Sequence, residues 1–390
     1  MKAETFLMVT GETSGDMYGA EVARALFHRF PGCRIFGLGG QRMREAGVEM
    51  EGDIRDTAVM GPLGAVAKLP LFYKIFRKLA NRVEADPPSA AVLIDFSGFN
   101  LPLAKRIRAA GSPVVYFISP QIWASRSGRI ETIRKVVNKM LVIFPFEVEI
   151  YRNAGVDVEF VGHPLIETVR ATKTKEDFCR THNLDSSRPI VALLPGSRSK
   201  EVRFILPTLC EVSRRILDRK PDTQFVLPAA PNLERQKIDE IVKGYPITVV
   251  ANDSYNAIRY SRAAVVASGT ATLETALLGT PEVIVYRISG IEAWVLKHFV
   301  LRVRIFGIVN IILGEEVVPE LFQDKFTPEL VTEAAIRLMD DVWLQSKIRG
   351  NYETLRRKLS GGKVPERVAD AVARVINSER SQTTKQLSKE

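Results

Sequence analysis

The chain has 390 residues, of which 46% are hydrophobic and 26% charged; these values are typical of a soluble globular protein with room for two domains. Its three cysteines, Cys33, Cys179 and Cys210, form no Cys-x-x-Cys pair, which favours a reducing cytosolic compartment over a structural zinc site. The N-terminus lacks a signal-peptide pattern and no apolar run reaches ~18 residues, so we expect no membrane-spanning segment.

The formal net charge of +10 favours an acidic partner. The basic residues are scattered, and the chain has no RNA-recognition motif, zinc finger or polybasic tail, so nucleic acid is not an expected partner. Because there is no Asp-x-Asp and the four histidines have no ligand spacing, neither a metal nor a cofactor is expected. Phosphorylated small molecules and an anionic membrane surface remain as candidate partners.

Short apolar runs alternate with helical patterns over residues 1–165. The runs are FLMVT, CRIFGLGG, AAVLIDFSG, SPVVYFIS, KMLVIFP and VEFVGHP, with helices predicted over 17–29 and 101–110. Uninterrupted apolar runs are typical of strands that are buried on both faces of a parallel sheet. The pattern predicts a first Rossmann-like domain.

The same alternation starts again at residue 190, with PIVALLPG, TQFVLPA, ITVVA, AAVVASG and EVIVYR. It predicts a second Rossmann-like domain over 190–345, after a polar, helical linker over 166–189. Helices over 346–377 could pack back on the first domain, and the polar tail 378–390 is expected to be disordered. We therefore predict an α/β fold of two doubly wound domains facing across a cleft, with ligands at the carboxyl ends of the strands.

The first strand leads into GETSGD at 11–16, where two glycines stand beside two carboxylates. Carboxylates repel a phosphate at close range, so this segment is not the expected diphosphate site. Its hydroxyl and carboxylate groups suit sugar hydroxyls instead, and the candidates for that contact are Gly11, Glu12, Ser14 and Asp16. Asp16 could alternatively be a helix N-cap.

Asp95 ends the apolar run AAVLID, at the mouth of a buried strand. A carboxylate in that position can take a proton from an attacking hydroxyl, so Asp95 is the candidate general base; an Asx-turn is equally compatible with the spacing. His163 in FVGHP is a second candidate proton carrier, although a lone histidine is more often structural. In SPQIWASRSGRI, Trp123 could stack on a ring, and Arg126 and Arg129 could pair with a phosphate.

Two strand-to-helix loops in the second half predict a nucleotide site. In VALLPGSRSKEV, Ser197 and Arg198 stand at a helix start and suit a diphosphate, although a plain helix cap fits as well. In VVASGTATLE, the loop Ser268, Gly269 and Thr270 repeats the pattern, and Glu274 follows. Glu274 could accept both hydroxyls of a ribose, or could interact with the helix dipole alone.

Residues 68–83 place Phe72, Ile75, Phe76 and Leu79 at helical spacing, with basic side chains beside them. Such a helix can lie in a lipid interface, or can pack its apolar side into the core. The segment 293–308, which carries Trp294, Phe299 and Phe306 among basic residues, favours the interfacial reading.

Taken together, the motifs resemble the lipid-A-disaccharide synthase family of Gram-negative bacteria, over about residues 6–377. The matching stretches are GETSGD (11–16), AVMGPLG (58–64), ID-x-x-x-FN (94–100), SPQIWA (119–124), FPFE (144–147), GHPL (162–165), LLPGSR (193–198), ASGTATLE (267–274) and VNIILGEEVVPELFQ (309–323). The resemblance implies the GT-B architecture and a metal-independent, inverting glycosyl transfer. The donor would be UDP-2,3-diacylglucosamine and the acceptor 2,3-diacylglucosamine 1-phosphate, giving the β-1,6-linked disaccharide 1-phosphate and UDP.

The resemblance also implies roles for single residues. Asp95 would be the base, Arg198 would stabilise the departing UDP, and Asn310 would lie at the donor. Asn100, His163 and Arg126 are further candidates for the acceptor side of the site, without a role that the resemblance itself assigns. An enzyme of this family would be cytoplasmic, peripheral at the inner membrane, and could form homo-oligomers.

Two other functions fit parts of this pattern. Another GT-B enzyme or a UDP-sugar epimerase would share the nucleotide site but act on a soluble substrate. A non-catalytic nucleotide-sugar-binding protein at the membrane would share the fold, which alone does not determine function.

Overall fold

The structure of the protein, a computed structural model, describes residues 3–57, 61–120, 128–230, 233–287 and 305–387. The chain divides into two compact units, Met1–Pro164 with Leu359–Glu390, and Leu165–Lys358. The second unit therefore begins at Leu165, where the sequence predicted a linker from 166 to 189. Each unit contains one parallel sheet, so the predicted fold of two parallel-sheet α/β domains is confirmed.

The sheet of the first unit has seven parallel strands in the order β3-β2-β1-β4-β5-β6-β7. β1 and β4 pair in register, with Met8 beside Val92, and every side chain from Phe6 to Val9 and from Ala90 to Ile94 is buried. Strand order reverses between β1 and β4, and such a point opens a crevice at the carboxyl ends. The strands are Thr5–Val9 (β1), Arg34–Gly39 (β2), Glu49–Asp53 (β3), Ala90–Ile94 (β4), Val114–Phe117 (β5), Lys139–Val142 (β6) and Val158–Phe160 (β7).

The sheet of the second unit has six parallel strands in the order β10-β9-β8-β11-β12-β13. Its order reverses between β8 and β11, which pair with Val265 beside Leu193. The strands are Ile190–Leu194 (β8), Gln224–Ala229 (β9), Ile247–Ala251 (β10), Ala263–Ala267 (β11), Glu282–Tyr286 (β12) and Glu320–Phe322 (β13).

The helices follow the strands in the alternation that parallel sheets require. In the first part of the chain they are Thr13–Arg29 (α1), Gln41–Glu45 (α2), Ile54–Thr57 (α3), Gly61–Ala85 (α4), Ser97–Ala109 (α5), Arg129–Val136 (α6) and Pro145–Asn153 (α7). They continue with Leu165–Thr168 (α8), Lys175–Thr181 (α9), Ser199–Arg219 (α10), Arg235–Val242 (α11), Ser254–Arg259 (α12), Thr270–Leu277 (α13), Ile308–Leu313 (α14), Pro328–Asp340 (α15), Val342–Leu359 (α16) and Val364–Leu387 (α17), with a short 3₁₀ helix at Gln323–Lys325.

The last helix, α17, belongs to the first unit, whereas nearly all of α16 belongs to the second. Helix α17 packs on α1, where Arg29 Nε forms an ion pair with Asp370 Oδ1 of α17 at 3.2 Å. A second ion pair joins Arg380 Nη2 of α17 to Oε1 of Glu4, just before β1, at 2.7 Å. The helix continues to Leu387, although the sequence predicted a disordered tail from 378. Polar residues there continue a helix that Arg380 fixes to the first unit.

The apolar stripe of α4 faces the core, so the interfacial reading of this stripe is wrong. Ile75 and Leu79 are buried, while the ring of Phe76 packs edge-on against Phe99 at 5.7 Å and Phe72 lies 6.0 Å from Phe96. Because Ile75 and Leu79 are buried and Phe72 and Phe76 are half-buried against other aromatic rings of the first unit, the stripe is mainly a core-packing face. The second predicted interfacial segment lies mostly at 288–304, outside the described residues. None of the helices in the described part combines the length and apolar character that a membrane span requires.

Candidate functional site

Asp95 lies at the carboxyl end of β4 in an unusual backbone conformation. Its φ is 46° and that of Phe96 is 45°, so two consecutive non-glycine residues are left-handed. Such residues cost of order 1–3 kcal/mol each, and surrounding contacts must hold them. Here the Asp95 carbonyl accepts hydrogen bonds from the Asn100 side-chain amide at 2.9 Å and from the Tyr116 hydroxyl. Tyr116 lies inside an apolar strand, so no pattern in the sequence indicates this role.

Burial, and to a smaller extent the negative charge of Glu12, raise the pKa of the Asp95 carboxyl to about 6, while a hydrogen bond from the backbone N–H of Phe96 opposes the shift. Glu12 is exposed at the N-cap of α1, at the carboxyl end of the neighbouring strand β1. The structure thus brings together two of the predicted residues, Asp95 and Glu12. A carboxyl with this pKa is largely ionised at neutral pH and is a stronger base than an ordinary aspartate.

The two glycines of GETSGD make room for the protein's own side chains. A Cβ on Gly11 would lie 2.2 Å from Cγ of Phe96, and a Cβ on Gly15 would lie 1.8 Å from Oγ1 of Thr10. The Phe96 ring therefore packs directly on the Gly11 backbone. Side chains of the protein itself occupy the space at both glycines, so the expectation that these glycines admit a ligand is wrong. Ser14 is exposed in the first turn of α1, and its contact with a sugar stays a prediction.

Asp16 is a structural residue rather than a sugar contact. It is 4% exposed, and its carboxylate accepts hydrogen bonds from the backbone N–H groups of Gly40 at 2.7 Å, Arg42 at 3.0 Å and Met43 at 3.1 Å. These groups form the start of α2, whose first N–H groups have no partner within the helix. Asp16 therefore caps α2 from a neighbouring element, and not α1 as the alternative reading had it.

Asn100 and His163 are also too buried to touch an acceptor. Asn100 is 0% exposed, and its amide donates to backbone carbonyls at the ends of β1 and β4. His163 is 4% exposed, its ring lies 5.3 Å from that of Phe144, and burial lowers its pKa to about 3. Such a histidine stays neutral near pH 7, so it is not a proton carrier. Arg126 and Trp123 lie outside the described residues, and Arg129 donates to the Ser97 hydroxyl.

A pocket of about 280 Å³ opens at the carboxyl ends of β8 and β11 in the second unit. Both predicted loops line it, so the structure brings together six of the predicted residues: Ser197, Arg198, Ser268, Gly269, Thr270 and Glu274. No heavy atom lies within 4 Å of a Cβ built on Gly269, so the space before its backbone is open. The Tyr255 hydroxyl donates to Glu274 Oε1 at 3.0 Å, and burial raises the pKa of Glu274.

Glu201 occupies the anion-binding position of the first loop. Its Oε2 accepts hydrogen bonds from the backbone N–H groups of Ser197 at 3.0 Å and Arg198 at 3.2 Å, and its Oε1 accepts from the Arg198 guanidinium at 2.9 Å. These are the donors that a phosphate would use. The sequence reasoning missed Glu201, although its position three residues after Arg198 matches the capping-box spacing.

Asn310 does not reach this pocket, so its expected contact with a donor is corrected. It is 0% exposed, and its amide nitrogen donates to the Val318 carbonyl at 2.9 Å and to Glu320 at 2.7 Å. Its oxygen accepts from the backbone N–H groups of Val317 and Val318. Asn310 fixes the turn that leads into β13.

Within the described ranges, no three His, Cys, Asp or Glu side chains form a group that could hold a metal ion. The charged and polar side chains that line the pocket of the second unit are instead Arg198, two carboxylates and four hydroxyls, those of Ser197, Ser254, Ser268 and Thr270. Arg198 and backbone N–H groups are the donors that this pocket offers to an anion.

Comparison with known proteins places these features in a family. Residues 6–373 match the model of the lipid-A-disaccharide synthetase family. The chain is 39% identical to the lipid-A-disaccharide synthase of Geobacter sulfurreducens over 375 residues, covering 96% of this chain and 97% of the relative. It is 41% identical to that of Trichlorobacter lovleyi over 372 residues, covering 95% and 97%.

Solved structures with low sequence identity share the fold. The UDP-GlcNAc 2-epimerase from Neisseria meningitidis bound to UDP-GlcNAc aligns with a TM-score of 0.64 at 10% identity, covering 96% of this chain and 100% of that one. The calicheamicin glycosyltransferase CalG4 aligns with a TM-score of 0.59 at 16% identity, covering 97% and 99%. These similarities concern the fold alone.

Asp16→Ala is expected to lower the free energy of unfolding by about 2–4 kcal/mol, because it leaves three N–H groups at the start of α2 without their acceptor. Urea unfolding measures the change. Glu12→Ala is the matched control, since Glu12 is exposed and caps no N–H with its side chain. If both variants unfold like the parent, the capping role of Asp16 is wrong.

Glu201→Gln is expected to tighten binding of a diphosphate probe, UDP, by about three- to tenfold, because a like charge at this range costs on the order of 1 kcal/mol. Isothermal titration calorimetry measures the affinity. Glu240→Gln removes the same charge from an exposed position on α11 and serves as the control. Unchanged or weaker binding in the Glu201 variant would mean that a phosphate does not take the place of this carboxylate.

Proposed function

The chain belongs to the lipid-A-disaccharide synthetase family and is a glycosyltransferase of lipid A disaccharide synthesis, and we propose that it transfers 2,3-diacylglucosamine from a UDP donor, with inversion, to the 6-hydroxyl of 2,3-diacylglucosamine 1-phosphate. The products are the β-1,6-linked disaccharide 1-phosphate and UDP. The observation that carries the proposal is Asp95, a carboxyl whose pKa is raised to about 6 at the carboxyl end of β4.

The donor nucleotide is assigned to the pocket of the second unit. Arg198 and the N–H groups of the loop 195–198 would bind the diphosphate after Glu201 moves away, and Glu274 would accept the ribose hydroxyls. Negative charge develops on the leaving diphosphate as the bond to C1 breaks. The guanidinium and the helix N-terminus stabilise that charge, which is the electrostatic part of the catalysis.

The acceptor is assigned to the first unit, at the carboxyl ends of β1 and β4. Asp95 takes the proton of the acceptor hydroxyl as that oxygen forms its bond to C1 of the donor and UDP departs from the opposite face. A single displacement of this kind inverts C1, needs one base and forms no covalent intermediate with the protein. Glu12 contributes by raising the pKa of Asp95.

Both substrates carry acyl chains, so we also propose that the enzyme works at the surface of the inner membrane as a peripheral protein. The net charge of +10 supports attraction to an anionic surface. The covered stripe of α4 gives this proposal no support, and homo-oligomer formation stays a prediction.

The direct test mixes the purified protein with both diacylated substrates in detergent and EDTA, and follows UDP release and disaccharide by mass spectrometry. We expect disaccharide in the presence of EDTA, because the diphosphate site offers Arg198 and backbone N–H groups. Asp95→Asn is expected to lower kcat by about 10²–10⁴-fold with unchanged affinity for UDP. Folded protein that binds UDP but yields no disaccharide, with EDTA or with magnesium, contradicts the proposal and favours a soluble sugar substrate.

The pH dependence provides a second test. Asp95 must be ionised to accept a proton, so kcat/KM should rise tenfold per pH unit below about pH 6 and level off above it. Glu12→Gln removes a negative charge that raises the pKa of Asp95, so the acid limb should move to lower pH. Glu21→Gln, an exposed position on the same helix, should leave the limb in place. An acid limb that is identical in the Glu12 variant would exclude Asp95 as the titrating base.

A further inference from the structure

A second cavity in the second unit lies away from the nucleotide pocket. Its volume is about 500 Å³, and it is lined by residues of α8, the end of α13, and α16. The residues that precede β11 and β12, among them Arg259 and Gly279, contribute to its wall. The cavity is therefore at the amino ends of these strands, whereas the nucleotide pocket is at the carboxyl ends of β8 and β11.

Four arginines line this cavity: Arg170, Arg259, Arg349 and Arg356. The acidic residues among its described lining are Glu167 and Glu353, so positive side chains outnumber negative ones two to one. In the described part of the chain, Arg170, Arg259 and Arg349 form no ion pair with any carboxylate. Elsewhere on the surface, many arginines do have such partners, for example Arg215 with Glu329 at 2.6 Å.

Three of the arginines cover the C-terminal carbonyls of α13. Arg259 Nη1 donates to the Leu278 carbonyl at 2.7 Å, Arg349 Nε donates to that of Gly279 at 3.3 Å, and Arg356 donates to that of Leu277. Cations at a helix C-terminus are favourable, so part of the cluster stabilises the fold. That role uses one of the five N–H donors on each of Arg259 and Arg349, and it does not account for Arg170.

The cluster places four positive charges close together, and the lining carboxylates Glu167 and Glu353 are half as many. The pKa of Arg349 is lowered by burial and by the charges of Arg262 and Arg259. Glu282, behind Tyr352, is fully buried and burial raises its pKa, so its neutral form is favoured and it does not supply the missing negative charge. An anion in the cavity would relieve this repulsion.

We propose that the cavity lined by Arg170, Arg259, Arg349 and Arg356 is a binding site for a phosphate-bearing anion, distinct from the nucleotide pocket. The planar guanidinium group binds phosphate oxygens in pairs, and several arginines around one space suit a phosphomonoester or a diphosphate. Because the α13 carbonyls are covered by guanidinium groups, an entering anion meets cations. The phosphate could be part of a soluble molecule or of a lipid headgroup, and vesicle binding distinguishes these two sources.

One structural element connects the two anion sites. α13 begins at Thr270, which lines the nucleotide pocket, and ends at Leu277, which lines the arginine cavity. Its eight residues span about 12 Å. An anion that draws the arginines from the α13 carbonyls would change the end of a helix whose other end carries the Ser268–Thr270 loop.

The test titrates the full-length protein with inorganic pyrophosphate by isothermal titration calorimetry at low ionic strength. All variants carry Arg198→Gln, which weakens pyrophosphate binding in the nucleotide pocket and leaves the arginine cavity intact. Adding Arg170→Gln should weaken the remaining binding about three- to tenfold, and adding Arg259→Gln with Arg349→Gln should weaken it more than about tenfold. Arg337→Gln, an exposed arginine on α15, is the charge-matched control and should change the affinity less than about twofold.

The choice of variants separates a loss of anion binding from a loss of folded protein. Arg170 makes no hydrogen bond or ion pair within the described residues, so its replacement removes charge from the cavity without removing a helix cap. Thermal unfolding of each variant identifies any loss of folded protein. Pyrophosphate binding that is the same in the control, the Arg170 variant and the Arg259/Arg349 variant overturns the proposal. This result would leave the transferase assay unaffected, because that assay depends on Asp95.

Vesicles distinguish the source of the phosphate. Sedimentation with phosphatidylcholine vesicles, with and without phosphatidic acid, is compared for the same variants. Binding to phosphatidic acid that falls with the Arg170 and Arg259/Arg349 replacements supports a lipid headgroup. If pyrophosphate binding depends on these arginines but vesicle binding does not, the result supports a soluble phosphate compound.

Discussion

The first unit depends on one buried amide. The side chain of Asn100 is 0% exposed, and its nitrogen donates to the carbonyls of Val9, Ile94 and Asp95 at 3.5, 3.2 and 2.9 Å. These carbonyls stand where β1 and β4 end, at the point where strand order reverses. The amide therefore joins the two strand ends and holds Asp95 in its left-handed conformation, so an inaccessible residue determines where the accessible carboxyl points.

Both units use a carboxylate to bind helix N-terminal N–H groups, with different consequences. Asp16 is 4% exposed and belongs to the permanent connection between α1 and α2. Glu201 makes the same kind of contact with Ser197 and Arg198, but it lines an open pocket. A ligand phosphate can compete with Glu201 and cannot reach the partners of Asp16. Accessibility, rather than residue type or spacing, separates the structural cap from the replaceable one.

The sequence predicted the parts of the fold that come from apolar runs. Eleven strands have such a run, whereas β3 (EMEGD) and β13 (ELF) lie at the sheet edges and are too short or too polar to show one. The loops that line the pocket of the second unit could be predicted because strand ends of a parallel sheet meet at one edge. The direction of the α4 stripe could not, because the same helical spacing serves a core face and a lipid face.

Predictions for single polar residues were less successful, for a physical reason. Asp16, Asn100 and Asn310 all lie in motifs that fit the family, yet each binds backbone groups that would otherwise be left without partners. A motif residue can be required by such a buried hydrogen bond as well as by a substrate. Ser119 and Glu147, from SPQIWA and FPFE, are a further case, since the Ser119 hydroxyl donates to the Glu147 carboxylate at 2.6 Å.

Burial decides between the two candidate proton acceptors, and it acts on them in opposite directions. Removing a group from water disfavours its charged form. For the Asp95 carboxyl this raises the pKa to about 6 and makes the ionised form a better base. For the His163 imidazole the same effect lowers the pKa to about 3, so the ring has little affinity for a proton at neutral pH. A strand-end carboxyl that is partly buried beside Glu12 can therefore serve as a base, and a fully buried histidine cannot.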